Sequence, residues 1–132
     1  MKLLLDTHIW LWSLLEPERL GPQVRLAIQA PGNELWLSPI SIWEALMLVE
    51  RGRLTVEADA GTWVEEMVRA LPQREAAITH EVAVESRRVD LPHQDPADRF
   101  LAATAAVYQL TLVTGDDRLL HSKGFAVMAN RG

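Results

Sequence analysis

Short apolar runs alternate along this chain with longer stretches of helical periodicity. Residues 3–5 are an unbroken leucine run that predicts a buried strand, and 8–15, His-Ile-Trp-Leu-Trp-Ser-Leu-Leu, predict a helix stopped by Glu16-Pro17. Residues 22–30 predict a second, short helix, 35–38 a strand, and 42–51 a helix closed by Gly52. Trp63, Val64, Met67 and Leu71 recur near helical spacing over 62–71, Ala76, Ala77 and Ile78 predict a short strand, and 80–88 another helix. Residues 96–108 carry the clearest helix signal, with Asp95 at the N-cap and proline at the first helical position. A strand over 110–113, a short helix over 116–122 and a last strand over 125–127 follow. Strands that read as continuous apolar runs and alternate with helices imply a parallel sheet covered on both faces, so the fold class is α/β.

The 132 residues are about what one hydrophobic core organises, and no repeat, low-complexity tract or glycine-serine linker divides them, which predicts a single domain over 1–132. With 48% hydrophobic and 23% charged residues, the balance is that of a globular chain and excludes intrinsic disorder. There is no cysteine, which excludes disulfides, thiolate metal sites and cysteine nucleophiles and fits a reducing cytoplasm. Asp6 interrupts the first apolar run and no small-residue cleavage site follows, so export is not expected. The longest uncharged stretch, 101–115, includes Thr104, Gln109 and Thr111 and is shorter than the ~20 apolar residues of a membrane span, so no membrane partner is expected.

Ligands of an open parallel sheet bind at the carboxyl ends of its strands, and the residues there are acidic. Asp6 ends the first strand, and Asp116 follows the strand 110–113 after only Thr114 and Gly115. Glu44 is expected in the first turn of the helix after the second strand, and Asp98 in the first turn of the helix opened by Asp95-Pro96. Three of the four also have a structural explanation: Ser41-Ile42-Trp43-Glu44 fits a capping box, Asp98 gains from the helix dipole, and Asp116 suits an N-cap. Asp6 does not, because a carboxylate at the end of a buried strand is costly unless paired or metal-bound, and no basic residue lies near it in sequence. Four such groups together would repel, and hard divalent cations, Mg²⁺ or Mn²⁺, are the natural remedy.

A metal held by carboxylates points to phosphoryl chemistry in which the ion activates water. In that reading Asp6 and Asp98 are ligands. Glu44 and Asp116 complete the cage directly or through waters, and either could take the water's proton. The charge of the chain then looks different. The formal net charge of −5 argues against a nucleic-acid partner, yet setting four of the 18 acids aside in a metal site leaves 14 against 13 bases. Eleven of those bases are arginine, with close pairs at Arg51/Arg53 and Arg87/Arg88 whose default reading is a solvated helix face.

These segments resemble the PIN-domain nucleases, most closely the VapC toxins of bacterial and archaeal toxin–antitoxin pairs, over nearly the whole length. Leu3-Leu4-Leu5-Asp6-Thr7-His8 resembles the family's opening strand and first acid, and Ser38-Pro39-Ile40-Ser41-Ile42-Trp43-Glu44 its second. The segment from Asp95-Pro96-Ala97-Asp98 to Ala105 resembles that of the third, and Leu112-Val113-Thr114-Gly115-Asp116 that of the fourth. The resemblance implies a PIN-like three-layer α/β/α sandwich with a central parallel sheet. It also implies Mg²⁺-dependent endoribonuclease activity on RNA, a homodimer, and a cognate antitoxin that blocks the toxin. Of the adjacent pair Asp116 and Asp117, Asp116 is taken as the fourth acid; Asp95 is read as the cap.

Neighbouring residues are weaker candidates. Thr7, Ser41 and Thr114 place hydroxyls beside the acids, Arg99 and Arg118 follow acids closely, and His8, His93 and His121 are expected at helix ends or in loops. Trp10 and Trp12, two apart on one helix, are not expected to face the same core, so at least one is assigned to a subunit or antitoxin contact. A phosphoacceptor signalling domain is disfavoured, since the lysines are only Lys2 and Lys123. A haloacid-dehalogenase-type phosphatase would need aspartate where His8 stands. The remaining alternative is a catalytically weak PIN-fold binding module acting through metal, RNA or antitoxin binding.

Overall fold

The computed structural model describes residues 1–92 and 94–131; His93, expected in a loop, lies outside them. A five-stranded parallel sheet of β1 (Lys2–Leu5), β2 (Glu34–Leu37), β3 (Arg74–Glu75), β4 (Thr111–Thr114) and β5 (Ala126–Ala129) runs in the order β3-β2-β1-β4-β5. Around it lie α1 (Thr7–Leu15), α2 (Pro22–Gln29), α3 (Pro39–Glu50), α4 (Ala60–Ala70), α5 (His80–Glu85), α6 (Pro96–Tyr108) and α7 (Asp117–Leu120).

The apolar runs are buried on both faces because successive strand side chains point to opposite sides. Leu3, Leu5, Leu35, Leu37 and Val113 join one core with Ile9, Trp10, Val24, Ala45 and Met67 from α1 to α4. Leu4 and Leu112 join the other with Leu101, Ala102 and Ala105 of α6 and Leu119 of α7, Trp36 packing alongside. The result is the expected α/β/α sandwich. Asp95 and Pro96 begin α6 where the sequence places them: Asp95 Oδ1 accepts the Asp98 N–H at 3.1 Å, and proline occupies the first turn, where no N–H partner is required.

Several boundaries move. The helix expected from 42 begins at Pro39, because Ser38 is the N-cap, its Oγ accepting the Ile40 N–H at 3.1 Å, with proline next. Ser41 is therefore inside the helix and Glu44 in its second turn, so the capping box does not form. The strand expected over 76–78 is instead the pair Arg74–Glu75, whose register against Trp36 and Leu37 is continued only by the Ala76 N–H to Leu37 carbonyl bond at 2.9 Å. That edge strand is exposed and needs no apolar run. The helix expected over 80–88 ends at Glu85 and passes into turns.

Candidate active site

Chain order reverses beside β1: its crossover leads to β2 on one side, while β4 lies on the other. Such a switch point opens a crevice at the carboxyl edge of the sheet. The four candidate acids reach this crevice from four elements. Asp6 follows β1, Asp116 follows β4, Glu44 rides on α3 and Asp98 on α6, and all four line one cavity of about 550 Å³ together with Asp95. Asp116 is half-buried there, whereas Asp117 is exposed and lines no part of it.

Hydroxyls hold the acids. Thr114 Oγ1 donates to Asp6 Oδ2 at 2.6 Å, and the Thr7 N–H donates to Asp6 Oδ1 at 2.7 Å, making Asp6 the N-cap of α1. Thr7 and Thr114, which the sequence places beside the acids, thus give Asp6 neutral donors from α1 and β4. Thr7 Oγ1 donates to Glu44 Oε1 at 2.5 Å and lies 2.9 Å from Ser41 Oγ. A hydroxyl has one proton, so with Thr7's given to Glu44 the Ser41 hydroxyl must donate to Thr7, and all three groups are oriented in one chain.

Asp6 and Glu44 both hold a proton more tightly than ordinary carboxyl groups. Burial is the main cause that pushes Asp6 above the usual carboxylate range, opposed by the Thr114 bond and reinforced by the charge of Asp98. Glu44 is pushed up to about 7, again mainly by burial, against the Thr7 bond and with the charges of Asp6, Asp98 and Asp95 adding to the effect. Arg118 brings countercharge, its guanidinium meeting Asp116 Oδ2 at 3.0 Å and Asp98 Oδ2 at 3.4 Å. Its hydrogen bond to Asp116 is the first cause that strengthens its hold on its proton.

The two arginines that follow acids have different fates. Arg118 belongs to the site. Arg99 lies about 100° further round α6 than Asp98. It is buried, donating to the carbonyls of Ser86 at 2.8 Å, Val89 at 3.2 Å and Leu91 at 3.4 Å, so it fastens the segment before α6. The premise about the tryptophans also changes. Trp10 is fully buried, and Trp12, half-buried, packs against the same core and also lines the acid cavity. Arg53 is the cavity residue whose role the sequence left as solvated surface.

The donor set suits a hard divalent ion: oxygen donors only, crowded and short of positive charge. Among the described residues no three such groups stand close enough to hold an ion directly, so water would have to complete the shell, as Mg²⁺ readily allows. On that chemistry Asp6, Asp98, Glu44 and Asp116 are the residues that could hold one.

Comparison with known proteins agrees with this frame. The PIN domain family model matches residues 3–124. The chain is 35% identical over 119 residues, 88% of its length and 88% of the relative's, to a Mycobacterium tuberculosis protein described as Ribonuclease VapC22. VapBC2 from Rickettsia felis, solved with a promoter DNA fragment, shares the fold at a TM-score of 0.73 and 14% identity, covering 98% of both chains. VapBC-5 from Mycobacterium tuberculosis, described as a member of a toxin–antitoxin family, does so at 0.59 and 17%, covering 99% of this chain and 98% of that one. The family match over residues 3–124 and the 35% identity settle the kinship: the chain belongs to the PIN-domain family, among its VapC-like members.

Proposed function

We propose that this protein is a Mg²⁺-dependent endoribonuclease, the toxin of a toxin–antitoxin pair, hydrolysing RNA phosphodiester bonds with Asp6, Glu44, Asp98 and Asp116 as its catalytic and metal-holding residues. The observation that carries the reading is the meeting of these four acids in one cavity at the carboxyl edge of the sheet. The similarity to a protein described as a ribonuclease supports it. A cytoplasmic homodimer, restrained by a cognate antitoxin, completes the proposal; solved relatives of the same fold are VapBC complexes, and the chain lacks cysteine.

When bound, the ion supplies an activated water and neutralises charge on the phosphate, and Mn²⁺ should substitute for Mg²⁺. Asp6 and Asp98 would hold it, with Glu44 and Asp116 completing the set. The side chains of the site do the positioning. Thr114 and the Thr7 amide fix both oxygens of Asp6, and the Thr7 hydroxyl fixes one oxygen of Glu44, leaving the other for a proton. Burial and the charges of Asp6, Asp98 and Asp95 push Glu44 up to about 7 in the metal-free chain, and a bound cation would counter those charges and favour the ionised carboxylate that can take a proton from water. Arg118, at the cavity rim, is placed to meet a phosphate oxygen with its forked donors.

The test is end-mapped cleavage of a total cellular RNA pool, with Mg²⁺ or EDTA, comparing wild type with Asp98→Asn. Discrete cuts that vanish with EDTA and with the substitution are expected. No cuts from folded, antitoxin-free protein would refute the nuclease reading in favour of a binding module.

A further inference from the structure

We propose that Trp43, His8 and Arg53 form a nucleotide-binding slot beside the acids, in which an unpaired base of single-stranded RNA stacks on the aromatic walls while Arg53 takes its phosphate. The proposal rests on the nuclease reading and names the form of RNA that the same site accepts.

The slot is a cleft of about 100 Å³ whose lining includes His8, Trp43, Met47, Arg51 and Arg53, and it shares His8, Glu44 and Arg53 with the acid cavity. A base seated there would have its phosphate within the neighbourhood of the acids. Trp43 is 52% exposed, and alone among the five tryptophans it packs against neither hydrophobic core among the described residues. An indole half in water one residue from a candidate catalytic acid is poorly explained by stability, since burying it would be favourable. His8 is likewise exposed on α1, its ring braced against Trp12 at 5.6 Å.

Arg53 is placed there by the backbone. Gly52 takes φ +72°, and its N–H donates to the Val49 carbonyl at 3.1 Å, while the Arg53 N–H donates to the Leu48 carbonyl at 2.9 Å. This pair of bonds is a Schellman closure, which turns the chain back over the last turn of α3. Arg53 thereby lines the acid cavity, the cleft and a third cavity of about 520 Å³ beside Trp12 and Arg19. Among the described residues its guanidinium has no ion pair or hydrogen bond, and neither has that of Arg51. Two unpaired guanidinium groups beside an exposed indole make the combination that single-stranded nucleic acid requires: charge for the backbone and a π face for the base. A duplex has no base face to offer, so it should not use the slot.

Binding is measured in the Asp98→Asn background with a labelled oligouridine of about ten nucleotides, a length within the usual single-strand site size, and with the same strand annealed to oligoadenine. Trp43→Leu should weaken single-strand binding about tenfold, the loss of one stacked base, and Trp43→Phe should restore it. Arg53→Gln should weaken binding severalfold and reduce the slope of log K against log salt by about 0.7, the loss of one phosphate contact on a single strand. Trp43→Leu should leave that slope unchanged, and His8→Ala, at an exposed position, should weaken binding without unfolding the chain. Folded variants that bind the single strand like their parent overturn the slot, as does a preference for the duplex. A change in solution mass in Trp43→Leu with RNA binding intact overturns it in favour of a protein interface at Trp43. Loss of binding in these variants, where the protein with Asp98 intact cuts no RNA, would uphold the slot while the nuclease reading fails. Binding indifferent to all three residues, with the same substitutions leaving cleavage by the Asp98-intact protein unchanged, would do the reverse.

Discussion

Replacing Glu44 by glutamine should stabilise the metal-free protein at pH 8. In the folded chain Glu44 titrates at about 7 instead of its ordinary 4.5, because burial and the neighbouring charges of Asp6, Asp98 and Asp95 penalise its ionised form. Below pH 4.5 the group is protonated in both folded and unfolded chains. Between 4.5 and 7 the folded chain holds the extra proton, so stability falls as pH rises, and above 7 the loss is complete. The full difference corresponds to at most about 3.4 kcal/mol, and partial exposure of the side chain lowers this to about 1–2 kcal/mol. Glutamine removes the charge while its carbonyl oxygen still accepts from Thr7, so the variant should recover that amount at pH 8 and almost none at pH 4. For a chain of this size the gain is about 3–8 °C in Tm. Urea and thermal unfolding in EDTA at the two pH values measure it. Millimolar Mg²⁺ should then stabilise wild type more than the variant, because a ligand of the folded state alone adds stability by mass action. A Glu44→Gln protein that is no more stable than wild type at pH 8 in EDTA would refute the account of Glu44 as a carboxylate penalised by burial and by its neighbours' charges.

Three further outcomes are expected. Arg118→Gln should tighten Mg²⁺ binding about three- to tenfold by calorimetry, because it removes a competing cation from Asp98 and Asp116; unchanged affinity would mean the guanidinium does not share the ion's field. Arg99→Ala should cost about 2–4 kcal/mol in urea unfolding, since it strips donors from the buried carbonyls of Ser86, Val89 and Leu91. Activity lost in that variant at unchanged stability would instead assign Arg99 to the site. Leu101→Ala should cost about 2–5 kcal/mol, as the side chain is fully buried in the core under α6, with the same number of RNA cuts made by whatever fraction remains folded.

Local signals were legible where the physics is local. Asp95-Pro96 opens α6 and Gly52 closes α3 because capping depends on a few adjacent residues. The same kind of signal misled at α3, where two serines compete: Ser38 wins over Ser41 because proline follows it at a position that needs no N–H. β3 carried no apolar run because an edge strand at the surface buries little, and its register comes from β2 rather than from its own side chains. Arg99 and Arg118 look alike beside their acids, yet one is buried among carbonyls and the other spans two carboxylates, a difference made by helix rotation and by which loop packs opposite.

By itself the sequence determined the α/β class, the strand runs buried on both faces and four acids at the carboxyl edge, since periodicity and strand order in the chain dictate which positions can face a core or a sheet end. Only the tertiary structure decided how those acids are satisfied and charged. Thr114 reaches Asp6, and Thr7 reaches Ser41 and Glu44, through contacts between residues far apart in the chain. Proton affinity depends on burial and on charges a few ångströms away, and those distances exist only once the sheet has brought its edges together.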